Sequence, residues 1–80
     1  MGETKQVVLA WEGGLRFRGG APGGAMALVD ADNAEAPGPM LQLLMALGGC
    51  SGADVVSILE KMRAGLERLT IEVSGVRREE

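Results

Sequence analysis

The 80-residue chain contains no histidine, and that absence removes several chemistries at once. Neither a Ser-His-Asp triad nor a Cys-His pair can be assembled from these residues, and no His/Cys zinc site is available. Cysteine occurs once, at Cys50, so the chain cannot close an internal disulfide. Basic residues are also scarce: eight Lys and Arg against eleven Asp and Glu give a net charge of −3 and a pI near 4.9. That balance excludes the clustered basic surface that nucleic-acid binding needs. The nearest approaches to a cluster, Arg16 with Arg18, Lys61 with Arg63 and Arg77 with Arg78, read as solvated pairs. The opening "MGETKQVV" lacks the basic region and apolar core of a secretory signal, and Gln6 fails the acylation pattern. No apolar run is read as reaching the roughly 20 residues needed to cross a bilayer, so no membrane partner is expected. A free thiol without a targeting sequence fits the reducing cytoplasm.

What is present is globular in character, with 46% hydrophobic and 24% charged residues. A chain this short buries a marginal core, and without a disulfide a partner subunit becomes the leading source of added stability. From Gln6 to Arg18 the sequence alternates: Val7, Leu9 and Trp11 against Val8, Ala10 and Glu12, then Leu15 and Phe17 against Arg16 and Arg18 after Gly13-Gly14. This predicts a hairpin with one apolar face and one face carrying both arginines. "GGAPGG", Gly19 to Gly24, reads as a loop; no Gly-Lys-Ser/Thr follows it, so it is no phosphate loop. Ala25 to Val29 is a third strand ended by the turn-forming "DADN", and Pro39 suits the first turn of a helix.

Between Met40 and Leu47 only Gln42 is polar, and a helix apolar around nearly its whole circumference is normally buried on all sides. The glycine pair Gly48-Gly49 predicts a break there, which places Cys50 at the start of a second helix, where free N–H groups favour a thiolate. Gly48 and Gly52 form a small-residue stripe suited to a close helix crossing. Val55, Ile58, Leu59 and Met62 continue at helical spacing to an end near Gly65, and Leu69, Ile71 and Val73 alternate as a strand. Asp54, one turn past the thiol, has the wrong sign to activate it, which leaves Arg16 or Arg18 as the source of a cation. On these residues alone Cys50 reads either as an inert packing thiol or as a reactive one. Without a histidine, a reactive thiolate is suited to direct attack on a peroxide oxygen.

The stretch "GPMLQLLMALGGCSGADVVSILEKMR" resembles the cysteine helix of the osmotically inducible protein C and organic hydroperoxide resistance superfamily, and "WEGGLRFRG" and "LVDAD" resemble its amino-terminal sheet. The resemblance implies an α+β fold, OsmC-like, with an antiparallel sheet, central helices and an intertwined homodimer. It implies a single domain over residues 1–80, incomplete, with strands over 1–36, the helical segment with Cys50 over 37–65 and a strand over 66–80. It further implies thiol-dependent reduction of organic hydroperoxides without cofactor or metal. Cys50 would be the peroxidatic residue, Arg18 or else Arg16 its activating cation, and Met40, Leu44 and Leu47 the seat of an apolar substrate tail. The partners are then a second copy, an organic hydroperoxide and a dithiol reductant. The family's second cysteine is missing because the chain stops before that region, and where related sequences carry a glutamate after Pro-Met this one has Leu41 and Gln42. The alternative is a non-catalytic dimeric binding or structural module of the same fold.

Overall fold

The structure is a computed structural model that describes residues 3–76; Met1, Gly2 and the Arg77-Arg78 pair lie outside them. Strands β1 (Val8–Trp11), β2 (Arg16–Gly20) and β3 (Met26–Asp30) are followed by helix α1 (Pro39–Lys61). The chain divides into two compact units, one ending at Gln42 and one beginning at Leu43. The architecture is α+β.

The first unit is an antiparallel meander of order β1-β2-β3. Trp11 lies opposite Phe17, which lies opposite Val29, and Arg18 lies between Ala10 and Leu28. Directly opposed residues point to the same side, so Trp11, Phe17 and Val29 share one face while Arg16, Arg18 and Asp30 share the other. The expected division of the hairpin into apolar and arginine-bearing faces is therefore realised. β2 runs two residues into the expected loop, and the chain reverses over Ala21–Gly24, where the Gly24 N–H donates to Ala21 O at 2.8 Å. Pro22 and Gly23, the latter at φ 77°, hold the second and third positions that a type II turn requires.

Beyond β3 the acidic turn is organised by one carboxylate. Asp30 is only 2% exposed, and its oxygens accept from the N–H groups of Asp32 (2.9 Å), Ala34 (3.2 Å) and Glu35 (2.9 Å). Those donors, helped by the charge of Arg16, hold the Asp30 carboxyl below its ordinary range, against the opposing effect of burial. A depressed folded-state value means that the stabilisation is complete above the unfolded pKa of about 3.9 and is lost as pH falls through the lower folded value. Asp30→Asn is expected to lower stability at neutral pH and to flatten the loss seen below about pH 4. Urea unfolding of both proteins between pH 3 and 7 measures this; parallel curves would show that Asp30 is not the titrating group.

Gln42 closes the unit. Its Nε2 donates to Leu28 O at 2.7 Å and to Pro37 O at 2.9 Å, so the lone polar residue of the apolar stretch joins the first turn of α1 to edge strand β3. A carboxylate at this position could donate to neither carbonyl.

In the second unit α1 passes through Gly48-Gly49 without interruption. The expected break is not formed, and Cys50 lies in a helix interior rather than at a helix start. Packing supplies the reason. Gly48 and Gly52 are the buried residues of α1. A Cβ added to Gly52 would stand 2.6 Å from Ile71 Cδ1, and one on Gly48 would stand 3.0 Å from Val73 Cγ2. One on Gly75 would meet Leu44 Cδ2 at 3.4 Å. Residues 71, 73 and 75 thus step along the helix opposite 52, 48 and 44. Two residues of extended chain advance about 6.6 Å and four of helix about 6 Å, so the two repeats stay in register over this distance. The close crossing expected at the glycine stripe exists, but an extended segment makes it instead of a helix.

That segment departs from expectation in one respect. Leu69 to Val73 alternate as a strand would, yet residues 64–76 form neither helix nor strand, because no neighbouring strand lies beside them among the described residues. The helix ends earlier than Gly65: Arg63 takes φ 57°, its N–H donates to Glu60 O at 3.0 Å, and the Ala64 N–H donates to Leu59 O at 3.0 Å. This is the Schellman arrangement with arginine where glycine is usual.

Two properties of the surface correct or qualify the sequence reading. At 23 residues, α1 is by length and composition long and apolar enough to cross a membrane, contrary to the expectation that no run approached that length. Among the described residues no hydrophobic side chain is buried, and Trp11, Leu43, Met45, Leu47 and Ile58 are each more than half exposed. The apolar surface that the composition promises is present but uncovered.

Candidate functional site

Cys50 is free and exposed. Its exposure follows from the helix: at about 100° per residue, a residue two positions from both Gly48 and Gly52 lies roughly 180° around from the stripe that the extended segment covers. The packing role considered for this thiol is not the one it has in the described chain. Because α1 is continuous, the backbone N–H groups around Cys50 are engaged in the helix, and the field of a helix start is confined to the first turn. Asp54, one turn on, shares its side of the helix. Any stabilisation of a thiolate therefore has to come from a cation.

Both candidate cations lie in the sheet unit, and their surroundings differ. Arg18 donates from Nε to Glu12 Oε2 at 2.9 Å. The hydrogen bond and the charge of Glu12 raise the guanidinium's hold on its proton. Arg16 makes a longer ion pair, 3.7 Å from Nε to Glu35 Oε2, and its Nη atoms lie over the turn glycines Gly13 and Gly14. Glu12 was not singled out in the sequence. The signal was present: the alternation that puts both arginines on one face puts Glu12, with Val8 and Ala10, on that face too. Glu12 is held in turn by the hairpin, its N–H donating to Arg16 O at 2.9 Å while Trp11 Nε1 donates to Gly14 O at 2.9 Å.

Of the proposed pocket residues, Met40 and Leu47 are exposed along α1 and Leu44 is half-buried near Gly75. Their spacing of four and three places them along one stripe of the helix. Among the described residues no group of three or more His, Cys, Asp or Glu side chains gathers where it could hold a metal ion.

A family model for OsmC-like protein matches residues 31–80, which begin just after β3 and include the acidic loop that follows it and all of α1. The chain belongs to the OsmC-like family. Protein YhfA of Escherichia coli K12 is 42% identical over 76 residues, covering 94% of this chain, and the YhfA proteins of Escherichia coli O157:H7 and Shigella flexneri match equally. The chain spans 57% of the length of these relatives. A solved structure from structural genomics is 47% identical, with a TM-score of 0.65 over 72% of this chain and 45% of its own. Within the OsmC-like family match, Cys50 is the lone thiol.

Proposed function

We propose that this OsmC-like chain is part of a thiol-dependent reductant of organic hydroperoxides, with Cys50 as the reacting group, serving defence against peroxide stress in the cytoplasm. The observation that carries the reading is the exposed, free thiol at Cys50 within the OsmC-like match. In the reaction, the Cys50 thiolate attacks the terminal oxygen of R–O–O–H. The O–O bond breaks, two electrons pass from sulfur, and the leaving alkoxide takes a proton to become the alcohol; Cys50 is left as a sulfenic acid. A dithiol then forms a mixed disulfide with loss of water, and its second sulfur displaces Cys50 to restore the thiol. The dithiol is the reductant that this reading adds as a partner.

Arginine supports the first step by stabilising the thiolate against protonation in apolar surroundings. Met40, Leu44 and Leu47 offer the substrate an apolar stripe. A second copy of the chain, as a homodimer, is the partner that the reading adds, supported by the large apolar side chains left exposed. Membership of the OsmC-like family likewise supports α1 packing within protein instead of lipid.

The test is chemical. Exposure of the native protein to cumene hydroperoxide, followed by a dimedone-type trap and mass spectrometry, is expected to yield one sulfenic adduct, at Cys50. An untouched thiol under conditions in which unfolded protein reacts would overturn the proposal and favour the non-catalytic binding module.

A further inference from the structure

We propose that α1 carries a latent joint at Gly48-Gly49, held closed by the extended segment 69–75, so that the docking of this segment sets the surroundings of Cys50. Opposed signals meet at this point of the helix. Gly48 has a reason in packing, because Val73 sits on it; Gly49 has none, since no atom lies within 4 Å of a Cβ added there. Alanine would fit at position 49 and favour the helix, so what Gly49 contributes is weakness. Directly after the thiol, "SGAD", Ser51 to Asp54, is spaced as a capping box ahead of the apolar Val55-Val56. In such a box the serine oxygen accepts from the N–H three residues on, and the acid accepts from the serine N–H. Both side chains are exposed inside the continuous helix, where a start signal has no use. A stop and a start thus stand back to back within α1.

The extended segment overrides both. The chain reverses at Arg63 and runs back along the helix, with Ile71 over Gly52, Val73 over Gly48 and Gly75 beside Leu44. Those contacts lie on both sides of the joint, so one seated segment keeps the two parts of α1 collinear. Its hold is through side chains: among the described residues no backbone hydrogen bond fastens 66–76 to the helix. The brace can therefore leave without breaking a ladder. Once it leaves, the helix opens at Gly48-Gly49 and restarts at Ser51, with the Asp54 carboxylate turned to the Ser51 N–H. Cys50 passes from a helix interior to the residue before a cap, beside free N–H groups of a first turn that favour a thiolate.

Amide hydrogen exchange followed by mass spectrometry reads the joint, and iodoacetamide alkylation of Cys50 at neutral pH reads its consequence. In the double variant Ile71→Ala/Val73→Ala, amides of residues 49–54 are expected to exchange about tenfold faster and Cys50 to alkylate about threefold faster. Amides of β1 to β3 report whether the protein is folded. Cys50 is already exposed, so improved access does not account for faster alkylation. Adding Gly49→Ala strengthens the helix without touching the brace and is expected to bring both rates back to within about twofold of the parent. With the brace intact, Gly49→Ala alone and Ser51→Ala alone are each expected to slow exchange at 49–54 about fivefold, which tests the joint even if the double variant does not fold. Unchanged exchange in these two single variants would overturn the proposal. Faster exchange along the whole of α1 in the double variant, without rescue by Gly49→Ala, would show general loosening and overturn it as well. Local opening with unchanged alkylation would overturn the control of Cys50. No step here uses a peroxide, so these outcomes are independent of the sulfenic-adduct test above.

Discussion

Alanine at position 20 is expected to dismantle the β2–β3 hairpin. Gly20 pairs with Met26 at the point where the chain leaves β2 for the Ala21–Gly24 turn. A Cβ there would run into the carbonyl oxygen of Ala25, with the Ala25 carbonyl carbon and Met26 Sδ both at 3.2 Å. The sulfur can swing aside, but the Ala25 peptide belongs to the entry of β3 and cannot move without shifting the strand. Overpacking against side chains costs about 1–3 kcal/mol, and a backbone obstacle belongs at or above the top of that range. A domain of this size has a total stability of only about 4–12 kcal/mol, so the loss is a large share of it. Gly49→Ala is the matched control: nothing lies within 4 Å of its added Cβ, and replacing a helical glycine is expected to add about 1 kcal/mol. Thermal unfolding followed by circular dichroism compares them. A Gly20→Ala protein that melts with the parent would show that the turn has room the structure does not give it.

The second large effect concerns chemistry. Cys50→Ser is expected to reduce consumption of cumene hydroperoxide in the presence of dithiothreitol to the level of buffer, since a serine hydroxyl stays protonated at neutral pH and has no base beside it to activate it. The substitution removes no buried contact, because the side chain is exposed, so the melting curve should not change. Loss of turnover with an unchanged melt would separate the sulfur's reactivity from any packing effect. Equal consumption by both proteins would end the peroxidase reading and leave the binding module.

Much of the sheet is legible in the sequence because its signals are local. Alternation from Val7 to Arg18 and the turn residues around Pro22 and Asp30 determine strands, faces and reversals within a residue or two. The helix was harder. Gly48-Gly49 carries an intrinsic penalty, and intrinsic preference was read as a break; the seating of Ile71 and Val73 on Gly48 and Gly52 outweighs it, and that contact joins residues about twenty apart in the chain. Leu69 to Val73 show the opposite case. Their alternation is a true signal of one-sided burial, but a strand is defined by a neighbour, and among the described residues the neighbour is a helix. At the site, the shared face of the arginines follows from the alternation, whereas Cys50 lies in a helix interior instead of at the expected helix start. The same alternation puts Glu12 on the arginine face, but its diagonal contact with Arg18 depends on the register and on side-chain reach, which composition does not report.

The opposition of Cys50 to the glycine stripe has a practical consequence. One side of α1 is occupied by the chain's own extended segment, and the thiol opens to the other. A maleimide dye or nitroxide attached there points away from that segment. Within these 80 residues Cys50 is thus a single-site spectroscopic handle.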